Sequence, residues 1–251
     1  MKLSLCLAVF NEEKNIHYPL DSAYDFADEV IIVDGGSSDK TVEIAKSYGK
    51  KIRIITSPNP KMFHINKQKA ISAAKGDWIV QLDADEELTP ELKKEILEVI
   101  NSKEAAVAYN MPRKNWFLTR FLLKGGQYPD YTIRLYKNGA ARFPCRDVHE
   151  NVEVRGEVGF LKNPLLHYAD PDFSRYLMRW DRYTTLEVEK MPKGTELGFF
   201  RHFIWLPKVT FLMMYFRHKG FMDGFPGFVF ALFSALRFMV IYVKWWKKNR
   251  N

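Results

Sequence analysis

The chain has 251 residues, of which 47% are hydrophobic and 27% are charged. This composition excludes a disordered or low-complexity protein, and the length allows one large core or one domain with an appendage. The net charge of +8 is confined to residues 199–251, which carry nine Lys or Arg, one acid and 16 of the 37 aromatic residues, so a compositional boundary lies near residue 198.

In the first hundred residues, apolar runs alternate with amphipathic patterns. Strands are predicted at residues 2–10, 29–34, 51–56 and 77–83, and helices at 12–27, 40–48, 63–75 and 89–100. Four such units with strands rich in Ile and Val indicate an α/β fold whose parallel sheet is covered by helices on both faces. Ligands of these sheets bind beyond the carboxyl ends of the strands, where we expect Asn11, Asp34 and Asp83.

The pattern changes in the second half of the chain. Short strands are predicted at residues 105–111, 132–137 and 148–154, which indicates an antiparallel or mixed addition to the sheet, and a helix is predicted at 172–190. The two cysteines, Cys6 and Cys145, are too few for a disulfide framework or a zinc site. Together with the lack of a signal peptide pattern at residues 1–10, they favour a reducing, cytoplasmic location.

Asp83 and Asp85 directly follow a strand of the buried type. In an extended backbone alternate side chains point the same way, so both carboxylates are expected to face one point beyond the strand. An oxygen-rich site of this kind suits Mg²⁺ or Mn²⁺ carrying a phosphate. The structural alternative is an acidic turn ahead of the helix that begins near Thr89-Pro90.

Three further segments carry polar groups. Residues 8–12 end the first strand, where Asn11 either caps a helix or contacts a ligand. Residues 33–41 form a loop of small residues in which Asp34 can accept hydrogen bonds from a base or ribose. The sequence of this loop matches neither a Gly-x-Gly-x-x-Gly turn nor a P-loop. Lys67, near the start of a helix, suits a phosphate or base edge, and a solvated helix lysine is the alternative.

Two segments of the second half contain titratable side chains. In residues 148–150, Glu150 is a candidate general base and His149 a group that orients it or ligates a metal. Neighbours on a strand face opposite ways, so an exposed surface pair is the alternative. Arg134 is expected to bind phosphate or to form a structural ion pair. His167 is a candidate third metal ligand or a core histidine.

The ordered segments 8–12, 34–39, 66–68, 83–86 and 149–150 resemble family 2 glycosyltransferases with the GT-A fold. Within that family the resemblance is strongest to bacterial enzymes that add sugars to lipopolysaccharide core or related lipid-linked glycans. It covers about residues 1–170. It implies a GT-A-type, Rossmann-like, mostly parallel sheet with a mixed C-terminal half. The implied organisation is a glycosyltransferase domain at 1–198, with a nucleotide half at 1–104, an acceptor half at 105–170 and a connecting helix at 171–198.

The resemblance also implies roles for individual residues. Asp85, assisted by Asp83, would position Mg²⁺ or Mn²⁺ on the diphosphate, with His167 still the candidate third ligand. Glu150, with His149, would deprotonate the acceptor hydroxyl; many relatives read Glu-Asp here, so Asp130 and Asp147 are rival bases. The nucleotide sugar would be bound by Ala8, Asn11, Glu12, Asp34, Ser37, Asp39, Lys67, Asp83 and Arg134.

The basic aromatic tail, residues 199–251, is predicted to contain two hydrophobic helices around a break at 219–227. A charge-free run at 225–236 is followed by Arg237. A central Arg costs about 2.5–3.5 kcal/mol on insertion, and short apolar runs are typical of interfacial segments. Cations beside an anionic leaflet contribute about 1 kcal/mol each. We therefore expect the tail to bind an anionic membrane surface without crossing it; packing on the catalytic domain or an oligomer interface is the alternative, and nucleic-acid binding is disfavoured.

These features predict an inverting, metal-dependent glycosyltransferase. It would move a sugar from a nucleoside diphosphate sugar, a UDP-sugar foremost, to a lipid-anchored saccharide such as lipopolysaccharide core. Its expected location is the cytoplasmic face of the bacterial inner membrane, as a peripheral protein of cell-envelope synthesis. The alternatives are a nucleotidyltransferase and a catalytically silent, membrane-bound protein that binds nucleotide sugars.

Overall fold

The computed structural model describes residues 1–60, 62–102, 104–145 and 152–250. The chain divides into two compact units. The first unit consists of Met1–Arg113 and Asp130–His167, and the second of Lys114–Pro129 and Tyr168–Asn251. The predicted connecting helix thus belongs to the second unit, together with the tail, while the functional boundary near residue 198 stays a prediction.

The first unit begins with the predicted alternation of strands and helices. It contains β1 (Leu3–Val9), α1 (His17–Ala23), β2 (Glu29–Asp34), α2 (Thr41–Ser47), β3 (Ile52–Thr56), α3 (His64–Ser72), β4 (Trp78–Leu82), β5 (Glu86–Leu88) and α4 (Pro90–Ile100). Strand β1 pairs in parallel with β2 and β4, and β2 pairs in parallel with β3. Val9 is level with Asp34, and Leu7 with Leu82. The segments that leave β1, β2 and β4 therefore emerge at the same edge of the sheet.

Side chains alternate between the two faces of the sheet along each strand, and both faces are buried. On β1, Leu5 and Leu7 pack in one hydrophobic cluster with Leu20 of α1 and Ile96 of α4. Cys6, between them, packs on the other face in a second cluster that includes Ala70 of α3. Because both faces of the sheet are buried, its strands have nearly continuous apolar sequences.

The strands after α4 make the sheet mixed. The chain continues through β6 (Ala108–Phe117), β7 (Arg120–Leu122), β8 (Asp130–Lys137), β9 (Ala141–Arg142), β10 (Glu153–Val154), β11 (Val158–Phe160) and β12 (Leu165–Asp170). Of these, β7 and the last residues of β6 and β12 belong to the second unit. The strand order is β3-β2-β1-β4-β8-β6-β12-β5. Strand β8 is antiparallel to both β4 and β6, while β11 is parallel to β6. The predicted α/β class with a mixed C-terminal half is confirmed.

The second unit is mainly helical. Its longest elements are α5 (Phe173–Glu189), α6 (Leu206–Leu212) and α7 (Gly224–Lys248), and π-helical turns flank α6 at Arg201–Trp205 and Met213–Arg217. Helix α5 packs on α7, where the indole N–H of Trp180 donates to the carbonyl of Phe233 at 3.1 Å. By length and composition alone, residues 220–248 are long and apolar enough to cross a membrane, and an 18-residue window within them has a mean hydropathy of 1.8.

Candidate functional site

The loops after β1 and β2 are joined by side-chain bonds to backbone groups. Asn11 has a left-handed backbone (φ 55°), and its side-chain oxygen Oδ1 accepts from the N–H of Ser38 at 2.8 Å. The Ser37 hydroxyl accepts from the N–H of Asn11 at 2.9 Å and donates to Asp34 at 2.6 Å. Asp34 also accepts from the N–H of Gly36 at 3.0 Å, which closes the turn. The structure thus brings Asn11, Asp34 and Ser37 together at the sheet edge.

The neighbouring predicted residues make structural contacts. The N–H of Glu12 donates to the Thr41 hydroxyl at 2.7 Å, and Asp39 accepts from the N–H of Thr41 at 3.0 Å at the start of α2. Desolvation acts to raise the pKa of Asp39, but the bonds from Thr41 and from Glu13 outweigh it, and the pKa lies below its ordinary value. Ala8 lies within β1, paired with the β2 backbone. Asp39 therefore binds the backbone of Thr41 at the start of α2.

A buried charge cluster follows β4. Asp83 forms ion pairs with Lys67 of α3 and with Arg134 of β8, whose Nη2 lies 2.5 Å from Oδ2. Burial acts to raise the pKa of the Asp83 carboxyl, but Arg134 and Lys67 hold it well below its ordinary range. For the Lys67 ammonium, burial has the opposite effect and lowers the pKa, while the Asp83 carboxylate opposes that shift. Asp83 is therefore ionised and neutralised by the chain's own cations.

The same cluster extends to residues that sequence reasoning did not single out. Arg134 also donates to Gln81 at 2.7 Å and to Glu86 at 2.8 Å, and Glu86 is fully buried. Arg113 of β6 lies 3.4 Å from Glu86 and 2.7 Å from Asp130. Acids and bases therefore alternate through the series Lys67, Asp83, Arg134, Glu86, Arg113 and Asp130.

Asp85 lies beside His167. Strand β5 pairs antiparallel with β12 and sets His167 opposite Glu86, one residue after Asp85. The Nε2 atom of His167 is 3.6 Å from Oδ1 of Asp85. Among the residues that the structure describes, no group of three or more His, Cys, Asp or Glu is arranged to hold a metal. One carboxylate and one imidazole fit a divalent ion that takes oxygen and nitrogen donors, with its other ligands supplied from outside the chain.

A cleft of about 300 Å³ opens beside Asp83, Lys67 and Arg134. Its walls are partly aromatic: the ring of His64 stacks on Phe143 with centroids 5.0 Å apart. The remaining lining residues are Phe63, Asn110, Arg113, Tyr131, Thr132, Ile133 and Val152. A cationic and aromatic cleft next to the carboxylates suits an anionic ligand that carries a ring.

The predicted base lies outside the residues that the structure describes. His149, Glu150 and the rival Asp147 fall within residues 146–151, outside the described part of the chain. The other rival, Asp130, accepts two hydrogen bonds from Arg113, at 3.0 and 2.7 Å.

Glu86 and Arg113 were the main residues missed. One signal for Glu86 was present, since alternation along β5 buries Glu86 and Leu88 on one side. Nothing in the sequence indicated the role of Arg113, because its partner Asp130 is brought to it by the pairing of β6 with β8.

Paired carboxylates and buried cations beyond the carboxyl ends of parallel strands are an arrangement suited to an enzyme that acts on a phosphorylated ligand. The family model "Glycosyl transferase family 2" matches residues 4–150. The chain therefore belongs to glycosyl transferase family 2, and it is a glycosyltransferase. This decides against the nucleotidyltransferase alternative.

Curated relatives match along nearly the whole chain. The lipopolysaccharide core biosynthesis glycosyltransferase LpsC of Rhizobium meliloti is 26% identical over 241 residues, which are 94% of this chain and 88% of LpsC. An uncharacterized glycosyltransferase of Rickettsia typhi is 29% identical over 257 residues, covering 95% of this chain and 85% of the relative.

Solved structures share the fold. TarS 1–349 of S. aureus in complex with UDP is 16% identical, with a TM-score of 0.51 and coverage of 98% of this chain and 88% of that one. The complex with UDP-GlcNAc gives the same TM-score of 0.51 and the same coverage. The predicted GT-A-type fold is confirmed.

Proposed function

We propose that this protein moves a sugar from a UDP-sugar to a lipid-linked saccharide of the lipopolysaccharide core type. The observation that carries the proposal is the Asp85–His167 pair beside the Lys67–Asp83–Arg134 cluster, at the edge where β1, β2 and β4 end. The similarity to LpsC supports the acceptor class. UDP is the proposed nucleotide because TarS structures with this fold are complexes with UDP and with UDP-GlcNAc.

The donor would bind along the sheet edge. Asn11, Asp34 and Ser37 form the polar loop that faces the base and ribose in this proposal, and Lys67 and Arg134 supply positive charge for the diphosphate. Asp85 and His167 would hold Mg²⁺ or Mn²⁺. When bound, that ion stabilises the negative charge that develops on the leaving diphosphate. Asp83, already paired with two cations, positions Lys67 and Arg134 instead of serving as a full metal ligand.

Glu150 is the base in this proposal, with His149 orienting it. Phe143 and Val152 lie on either side of residues 146–151 in the sequence, and both line the cleft, which supports this assignment. Asp130 is the weaker alternative because Arg113 already binds its carboxylate. A base that removes the acceptor proton on the side opposite the diphosphate gives a single displacement, which inverts the anomeric configuration.

The test is sugar transfer from UDP-sugars to a lipid-linked core saccharide by Asp85→Asn and Glu150→Gln. Glu150→Gln should lose at least about 100-fold in kcat, the usual size of an acid–base contribution. Asp85→Asn should also lose activity, because it weakens the site of the ion that stabilises the leaving diphosphate. Glu157→Gln, at an exposed carboxylate, is the control and should keep full activity. Unimpaired transfer by both site variants would contradict the proposed chemistry.

We further propose that the tail binds the membrane surface. Residues 199–250 expose many large apolar side chains, and Arg201, Lys208, Arg217, Lys219 and Lys247 are exposed cations. The tail's single acid, Asp223, is only 2% exposed and accepts from the N–H groups of Leu123 and Lys124. The exposed apolar side chains are Phe199, Phe200, Ile204, Trp205, Leu212, Met213, Phe216, Phe221, Met222, Phe225, Phe228, Val243 and Trp246. An apolar surface with cations and no exposed acid among its described residues complements an anionic leaflet.

Helix α7 is held against α5, which favours a surface position over a span. The Lys244 ammonium donates to the Asp181 carboxylate at 2.7 Å and to the Thr184 hydroxyl at 2.8 Å. Arg237 forms an ion pair with Glu187. Crossing the bilayer would separate these groups or carry them into hydrocarbon, where charge is costly. The location that we propose is the cytoplasmic face of the bacterial inner membrane.

A further inference from the structure

Glu86 joins Asp83 and Arg134 to Arg113 within the charge cluster. Its side chain is fully buried. One carboxylate oxygen, Oε2, accepts from the N–H of Asp83 at 2.9 Å, and the other, Oε1, accepts from Arg134 at 2.8 Å. Arg113 lies 3.4 Å from the same Oε1. A buried carboxylate with this many donors is fixed in position.

The same residue closes the turn that carries Asp85. The N–H of Glu86 donates to the carbonyl of Asp83 at 3.1 Å, while its side chain returns to the N–H of Asp83. The backbone of Glu86 is also in register with His167 on β12. Asp85 therefore lies in a turn closed at both ends, and the strand pairing fixes its distance to His167.

We infer that Glu86 is a positioning residue for the divalent ion: it fixes Asp85 opposite His167, while Gln81 and Asp83 also hold Arg134. This inference rests on the proposed function, because it assumes that Asp85 and His167 hold the ion. Residues that orient metal ligands typically change metal affinity by about 10–100-fold when they are replaced. The loss of Glu86 should therefore reduce the metal-dependent part of donor binding and leave the metal-independent part unchanged.

The test is titration calorimetry of UDP with the full chain, once with Mn²⁺ and once with EDTA. The ratio of the two affinities is the gain from Mn²⁺. Glu86→Gln keeps the shape of the side chain but removes its charge, and we expect it to cut the gain at least tenfold while the affinity in EDTA changes less than twofold. Glu86→Asp keeps the charge with a shorter reach and should retain an intermediate gain. Glu91→Gln, exposed on the first turn of α4, is the matched control and should match the wild type.

Each result decides the matter. If the wild type gains affinity from Mn²⁺ and Glu86→Gln gains as much, the positioning role is wrong and the proposed function stands. If the wild type gains nothing, the proposed metal site is wrong and the positioning role falls with it. Circular dichroism checks folding; if Glu86→Gln is unfolded, Glu86→Asp decides, and a gain equal to the wild type's overturns the inference.

Discussion

Arg134 forms structural ion pairs, which were one of its two expected roles. From the sequence it was a candidate phosphate ligand or a structural ion pair. In the structure it is 6% exposed and donates to Gln81, Asp83 and Glu86. Burial acts to lower the pKa of the guanidinium, but Asp83 and Glu86 outweigh it and raise that pKa. Arg134 is thus the cation that makes two buried carboxylates stable next to each other.

Replacing Arg134 tests that balance. Arg134→Met leaves Asp83 with Lys67 alone and Glu86 with the more distant Arg113, and removing one partner of a buried pair costs roughly 3–5 kcal/mol. We expect the free energy of unfolding, measured in urea, to fall by about 3 kcal/mol for this reason. Arg142→Met removes an exposed pair with Glu153 and should cost less than about 1 kcal/mol. Equal losses in the two variants would show that the buried cluster is not a source of stability.

Part of the site was predictable at this scale. Asn11, Asp34 and Asp83 were expected at strand ends, and they lie there because strand position can be read from the apolar pattern. His167 was a candidate ligand, and it lies 3.6 Å from Asp85; its role stays a prediction. The contacts of Arg113 were not predictable, since they depend on pairing between strands that are distant in the sequence.

Among the elements, the four strands of the parallel sheet and α4 were well predicted. Thr89 caps α4 with Pro90 in its first turn, as the sequence indicated. Helix α1 was predicted at 12–27 but spans His17–Ala23. The N–H groups of Glu12 and Glu13 bind Thr41 and Asp39, so the chain there follows the neighbouring loop before the helix begins.

Strand β6 differs more from expectation, whereas the break in the tail lies where it was predicted. The strand predicted at 105–111 begins at Ala108 and runs to Phe117. Polar residues at 113–115 resemble a loop in the sequence, but Arg113 is opposite Asp130 on β8 and pairs with it. In the tail, the predicted break at 219–227 contains left-handed backbone at Lys219 and positive φ at Gly224, where α7 begins. Long-range pairing decided the first case, and local glycine and proline chemistry made the second predictable.

At the scale of the whole molecule, the proposed membrane surface can be tested by vesicle flotation. Trp205 and Phe225 are 56% and 72% exposed. Replacing both with Glu removes two apolar anchors, each worth about 1.5–3 kcal/mol when buried, and adds repulsion from anionic lipid. We expect the double variant to bind phosphatidylglycerol vesicles at least tenfold more weakly than the wild type.

The matched control is Phe160→Glu, at an exposed aromatic residue of the first unit, which should leave vesicle binding unchanged. High salt should weaken wild-type binding, because the cations of the tail contribute. Wild-type protein that stays with the membrane after alkaline carbonate extraction would contradict a peripheral position and favour a spanning α7.

The central claim is that this chain transfers a sugar and releases a nucleoside diphosphate. The most direct measurement is product analysis after incubation with Mn²⁺, a lipid-linked core saccharide and UDP-sugars labelled in the sugar and in the β-phosphate. We expect the sugar label to move to the lipid fraction while the phosphate label leaves as UDP. Release of the labelled phosphate as a sugar phosphate, with UMP attached to the acceptor, would contradict this.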